Sequence, residues 1–329
     1  METDTTSCQS FLHIDAERET QRIVDSIRQL VLYQFKRKGA VLGVSGGIDS
    51  SVVAALCARA LGPDRVFALL MPEGESSPDS VLLGRQLASS LGIRSELSDI
   101  TPILEASGCY RRRDDSIRLV VPEYGPGYKC KITLPDMLAT DQFAVFSVVV
   151  QSPSGEIRKV RLTLDAYLGI IAASNMKQRT RKMVEYYHAD RLNYAVAGTP
   201  NRLEYELGFF VKGGDGAADF KPIAHLYKTQ VYQLAEYLDI PREIRERPPT
   251  TDTYPLEQSQ EEFYFSMPLA KMDMCLYGRD HSIAPSELAT MVGLTIEQII
   301  RAYSMIERKR ANARYLHMPP ATFAEERSR

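Results

Sequence analysis

The stretch VLGVSGGIDSSVVAAL, residues 41–56, decides how the rest of the chain is read. It opens apolar, breaks at Gly46 and Gly47, sets one carboxylate at Asp49 and turns apolar again. A short apolar run, a glycine pair and a longer apolar run predict a buried strand turning into a helix. The dinucleotide fingerprint G-x-G-x-x-G and the Walker loop G-x-x-x-x-G-K-[ST] both fit poorly, and no lysine follows the glycines. What stands here is S-G-G-x-D-S. Glycines let the backbone approach a ligand and aim several N–H groups one way, and a helix start adds its positive end. Ser45, Ser50 and Ser51 supply hydroxyl donors. The sharper expectation is a pyrophosphate site; the plainer one is a tight strand-to-helix turn capped by serine. Asp49 suits the first only if it holds a Mg²⁺ that bridges phosphates.

Working outward, the apolar spacing predicts a helix over residues 15–36 capped by Asp15, and a strand over 40–44. A helix over 50–61 closes at Gly62, a strand covers 66–71, and a helix over 81–91 closes at Gly92. This β–α–β–α alternation predicts an α/β fold with a doubly wound parallel sheet. It resumes with a helix over 168–188, a strand over 192–197 and a helix over 229–238 ended by Pro241. The C-terminal part reads as helical, most clearly over 288–305. Between residues 107 and 164 the texture changes to β-branched runs at 128–134, 143–150 and 160–164, with SPSGE (152–156) as a hairpin turn. This segment reads as a β-rich insertion, either at the pocket or a surface elaboration. It divides a domain of residues 15–106 and 165–318; residues 1–14 and 319–329 read as disordered tails.

The 329 residues are 44% hydrophobic and 25% charged, with a net charge near −2, so the totals point away from nucleic acid and anionic membranes. No apolar run reaches spanning length, and the polar N-terminus has no secretory pattern. Cys8, Cys57, Cys109, Cys130 and Cys275 are scattered without a CxxC, which predicts reduced thiols and a cytoplasmic protein.

Three later motifs agree with the first in order and spacing: ASNMKQRTRKMVEYY (173–187), AVAGTPNRLEYELGFFVKGGDGAADFKPIAHLYKTQV (195–231) and RPPTTD (247–252). Together they make the chain resemble the ammonia-dependent NAD synthetases of the N-type ATP pyrophosphatase superfamily, over residues 15–100 and 165–315. The resemblance implies that Gly43, Ser45, Gly46, Gly47, Asp49, Ser50 and Ser51 hold ATP phosphates, with Thr199, Lys228 and Thr250 as further ATP contacts. It implies Asp49 and Glu204 as Mg²⁺ ligands. It places Arg179, Lys212 and Asp219, and the basic pair Arg308 and Lys309, on a dinucleotide substrate. Asp49, Lys212 and Lys228 would then be the catalytic residues, the lysines because a point positive charge suits a triphosphate and a developing adenylate and Asp49 through the Mg²⁺ it holds.

The implied reaction activates a carboxylate with ATP as an acyl-adenylate, releases pyrophosphate, and lets ammonia displace AMP. Nicotinic acid adenine dinucleotide would be the acceptor and NAD the product. A related amide ligase for another carboxylic acid, as in secondary metabolism, is the alternative; a non-catalytic nucleotide-binding homologue is opposed by Asp49, Glu204 and Lys228. The resemblance further implies a homodimer, with the apolar face of the 15–36 helix as a candidate contact, an intramolecular core being equally allowed. Ammonia would come free or from a separate glutaminase. The chain departs from the family pattern at Pro200, Leu203 and Arg308 and in the 107–164 insertion.

Overall fold

The computed structural model describes residues 11–133, 146–249, 254–256, 259, 264–265 and 267–322. Strand β1 (Ala40–Gly43) lies between β2 (Val66–Leu70) and, much later in the chain, β7 (Ala195–Val196); β3 (Arg94–Leu97) extends the sheet beyond β2. All pairings are parallel, in the order β3-β2-β1-β7. Alternate residues go to opposite faces. Ala40, Leu42, Val66, Ala68 and Leu70 pack against the helices Ala16–Arg28, Ile48–Leu61 and Lys228–Tyr237. Val41, Phe67 and Leu69 pack on the other face, against the Thr101–Ala106 side and the long helix Leu164–Leu192. Burial on both faces is why β1 and β2 read as unbroken apolar runs.

A second layer is helical. Leu269–Asp280, Pro285–Val292 and Ile296–His317 enclose a separate apolar core that includes Leu12, Leu203 and Leu207. The position at which the family resemblance favours serine is thus a core leucine in this chain, 1% exposed. The sheet β4 (Lys129–Thr133), β5 (Ser147–Gln151) and β6 (Ile157–Arg161) is antiparallel, with β5 central. Its inner face, with Cys130, Ile132, Val148 and Val150, packs on Ile117, Ala166, Ile170 and Tyr254.

The structure corrects several expectations. Residues 11–14 do not form a tail: Leu12 is buried, its carbonyl accepts from Gln233 Nε2 at 3.0 Å, and the Ile14 N–H donates to Gln233 Oε1 at 3.0 Å. Residues 1–10 and 323–329 lie outside the described residues. The 15–36 helix is α-helical over Ala16–Arg28 and widens to a π-helix over Gln29–Gln34. Its apolar face, Ile23, Val24, Ile27 and Val31, is spent on the core, which leaves it no role as a dimer contact. The insertion is not β-rich from its start, because Cys109–Arg118 is a helix packed along Leu164–Leu192.

Further shifts follow from local capping. The third inserted strand lies earlier than 160–164, because Thr163 already caps the long helix. That helix continues through Leu192 and stops where Asn193 turns left-handed (φ 57°), which leaves only two residues for β7. The expected 288–305 helix is two helices, broken at Gly293 (φ 64°) and restarted by a Thr295–Gln298 capping box.

One glycine fixes the central turn. Gly46 has φ +72°, and a Cβ there would stand 2.8 Å from the Ser80 carbonyl and 3.0 Å from Leu83 Cβ. Gly46→Ala should therefore cost about 2 kcal/mol in urea unfolding through strain and forced displacement of the Pro78–Ser90 helix. A cost below about 0.5 kcal/mol would show that the turn relaxes freely.

Candidate active site

The turn after β1 opens into a cleft of about 460 Å³ at the carboxyl ends of the strands. This is where parallel α/β sheets place ligands. Gly43, Ser45, Gly47, Asp49 and Ser50 line it from the first turn. Thr199, Pro200, Glu204 and Lys228 line it from the second half of the chain. Gly46 supports the turn from behind. Ser51 is buried and donates to the Gly47 carbonyl at 2.8 Å, so its hydroxyl serves the helix start rather than the cleft. Ser50 also donates to that carbonyl, at 3.0 Å, and accepts from the Ser45 N–H. Thr250 lies outside the described residues.

The centre of the cleft is an ion pair between Asp49 and Lys228, the latter 2% exposed. Burial disfavours the ammonium, but the Asp49 and Glu204 carboxylates outweigh it and hold the Lys228 pKa above its ordinary value. Glu204 is raised, first by burial and then by the Asp49 charge. Asn201 ties the group together: its Nδ2 donates to Asp49 Oδ1 at 3.1 Å, its side chain accepts from the Glu204 N–H, and Glu204 Oε2 accepts from its own N–H at 3.1 Å. Asn201 was not singled out in the sequence, yet N-x-x-E at a helix start is a readable capping signal.

Asp273 was also missed. Its two oxygens accept from the Lys228 and Thr229 N–H groups at 3.2 and 2.8 Å, which anchors the helix that delivers Lys228. It is fully buried, and burial pushes its carboxyl up to about 6. Lys182 and Glu185 form a buried pair at 2.5 Å on the cleft side of the long helix. Burial raises Glu185 and nearby Asp215. Glu185 also explains Gly43, since a Cβ there would stand 2.9 Å from Glu185 Oε1.

The expected acceptor residues do not gather in this cleft. Arg179 is exposed and donates from Nε to the Lys212 carbonyl at 3.2 Å. Lys212 donates to the Tyr315 carbonyl at 3.0 Å and lies over that ring. Asp219 accepts from the Val196 N–H at 2.7 Å and so fastens β7. Arg308 is exposed. Lys309 donates to the Tyr264 carbonyl at 2.9 Å, and burial pushes its pKa down to about 7; Tyr264, not Lys309, faces the cleft.

The Asp49–Glu204 pair fits a hard divalent cation. It offers oxygen donors only; burial raises Glu204 most, and the Asp49 repulsion that adds to it is what such a cation relieves. Among the described residues no group of three or more His, Cys, Asp or Glu could hold a metal, so phosphate or water oxygens must complete any shell.

Comparison with known proteins identifies the family. The NAD synthase family model matches residues 19–119 and 153–314. The chain is 57% identical to the NH(3)-dependent NAD(+) synthetase of Mesorhizobium japonicum, covering 96% of this chain and 99% of that protein. It is 38% identical to the protein of the same name from Thermotoga maritima, over 74% and 80% of the two chains. In fold it is similar to the NH3-dependent NAD synthetase of Campylobacter jejuni (TM-score 0.61, 23% identity, 94% and 100% covered). It is equally similar to the NMN synthetase of Francisella tularensis (TM-score 0.61, 21% identity, 94% and 99% covered).

Asp273 gives a test of the anchoring. Its folded pKa of about 6 stands above the unfolded 3.8, so the stability it adds in the protonated form is lost as pH rises from about 4 to 6. Asp273→Asn cannot lose a proton. Its stability relative to the parent should climb across that window by no more than about 1.4 kcal/mol per pH unit, then level off. A flat difference from pH 4 to 7 in urea titrations would contradict it.

Proposed function

The chain belongs to the NAD synthase family, and from that premise we propose that it forms NAD by amidating nicotinic acid adenine dinucleotide with ATP and ammonia. The observation that carries this reading is the meeting of a glycine-rich anion turn with Asp49, Glu204 and Lys228 in one cleft. A carboxylate does not react with ammonia, because an oxide-like oxygen leaves poorly. The substrate carboxylate first attacks the ATP α-phosphorus and pyrophosphate leaves; ammonia then attacks the acyl carbon, AMP leaves, and the nitrogen sheds its proton. Nothing in the sequence requires a covalent enzyme intermediate. The protein aligns reactants and meets charge as it develops.

Each residue contributes one task. The Gly46–Gly47 turn and the start of the Ile48–Leu61 helix receive the departing phosphates. Lys228, held from behind by Asp273, presents a fixed positive charge to them. Thr199 and Ser45 also line the cleft and offer hydroxyls. Asp49 and Glu204 would hold Mg²⁺, which neutralises phosphate charge when bound.

A homodimer completes the proposal. The long helix exposes Leu164, Leu168, Met183 and Tyr187, each more than half accessible, with Arg179 among them. An apolar stripe carrying an unburied acceptor residue supports a second copy on this helix. Arg179 and Lys212, which lie outside the cleft of their own chain, would then reach a substrate shared across the contact.

With ATP, Mg²⁺, ammonium and the acid dinucleotide, the protein should yield NAD, AMP and pyrophosphate in equal amounts. AMP release with a different acid, and no NAD, would reassign the acceptor. Asp49→Asn should stay folded by circular dichroism and lose pyrophosphate release by about 100-fold or more; near-normal release would remove Asp49 from the phosphate chemistry. Leu168→Glu with Met183→Glu should leave a monomer in sedimentation velocity, and an undiminished dimer would place the contact elsewhere.

A further inference from the structure

The cleft-facing side of the long helix changes character along its length. Glu185, Lys182 and Arg181 face the phosphate turn, then Gln178, Asn175 and Ser174 follow, and Ile171 and Tyr167 come last. At 1.5 Å per residue, Tyr167 stands about 27 Å along the axis from Glu185. There Phe146, from the residue just before β5, lies on the Tyr167 ring, with centroids 4.0 Å apart and planes 19° apart. Both rings are half-buried and both line the cleft.

Three features fix this pair. The Phe146 carbonyl accepts from the Leu162 N–H at 3.0 Å, which holds the ring against the β5–β6 sheet. Tyr167 follows directly on the Thr163 helix cap. Tyr254 fills the insertion core behind them, and its hydroxyl accepts from Ser174 at 3.3 Å. Phe146 also falls between the two segments matched by the family model. The inserted sheet thus supplies one ring of a preformed aromatic wall, at the end of the cleft away from the phosphates.

We propose that Phe146 and Tyr167 are a stacking platform for the non-reacting base of the dinucleotide acceptor. Rings already stacked present a flat apolar face, and a nucleotide base adds to such a face with little regard to its hydrogen-bonding edge. The reacting carboxylate must lie near the phosphate turn, where ATP is opened. A molecule with two bases reaches the far wall with the other one. The inference rests on the amidation reaction above, and it makes the insertion part of acceptor selection.

Phe146→Leu keeps apolar bulk and removes the ring face. It should raise the KM for the acid dinucleotide about 5- to 100-fold, with kcat at saturation and the KM for ATP unchanged. Phe146→Tyr should restore the parent value, and Tyr167→Leu should act as Phe146→Leu does, which covers the case of one variant failing to fold. Unchanged dinucleotide KM in a folded variant overturns the platform. A fall in kcat would assign the rings to the reacting ring instead, and a raised ATP KM would assign them to ATP; either result also overturns it. Calorimetric binding of the dinucleotide to parent and variants reads the platform without turnover. A parent that binds the dinucleotide in a Phe146-dependent way yet forms no NAD would sink the reaction and spare the platform.

Discussion

The buried pair of Asp49 and Lys228 is the constraint on which the rest of the molecule turns. Its partners stand 179 residues apart and belong to the two halves of the interrupted domain. A buried ammonium without its carboxylate is costly, so this contact forces the first strand–helix turn and the Lys228–Tyr237 helix into one position. Everything around it serves that placement. Asp273 fixes the helix backbone, Asn201 orients Asp49, and Glu204 sets a second carboxyl in the group, raised by burial and by the Asp49 charge.

Much of this arrangement was legible in the sequence, and the exceptions have physical causes. β1 and β2 announce themselves because both of their faces are buried. β3 does not, since Arg94–Leu97 exposes every side chain and is held by backbone pairing to β2 and by polar side-chain contacts of Arg94 and Glu96, which leaves no apolar pattern. The motifs around Asp49, Glu204 and Lys228 show themselves by spacing. Asp273 has no such signal: it sits inside an apolar helix 45 residues from the amide it binds, and only folding brings them together. Lys182 and Glu185 carry no signal of burial, because i,i+3 spacing is the same for an exposed pair and a buried one. Arg179 and Lys212, which the resemblance assigns to the acceptor, were legible as a motif but not as a place, since each bonds a backbone carbonyl away from the cleft.

The long helix connects these observations. It forms one wall of the cleft, closes the second face of the parallel sheet, carries the exposed apolar stripe and roots the inserted sheet. Its contact with the phosphate turn is intolerant of change, because Glu185 fills the space a side chain at Gly43 would need. Cleft-facing, exposed apolar and core-facing residues therefore alternate around a single rigid rod, and a shift of that rod alters all three together.

The place of β7 has a consequence for how the chain is made. β1 is buried along its length, yet one edge pairs only with Ala195 and Val196. During synthesis that edge has no partner until more than 150 further residues have left the ribosome. An unpaired apolar strand edge is a template for association with other chains, and joining segments so distant in sequence is slow. The nascent chain is thus most prone to aggregation after β2 has docked and before β7 arrives. Ribosomal pausing inside the insertion would lengthen that exposure, and faster translation there would shorten it.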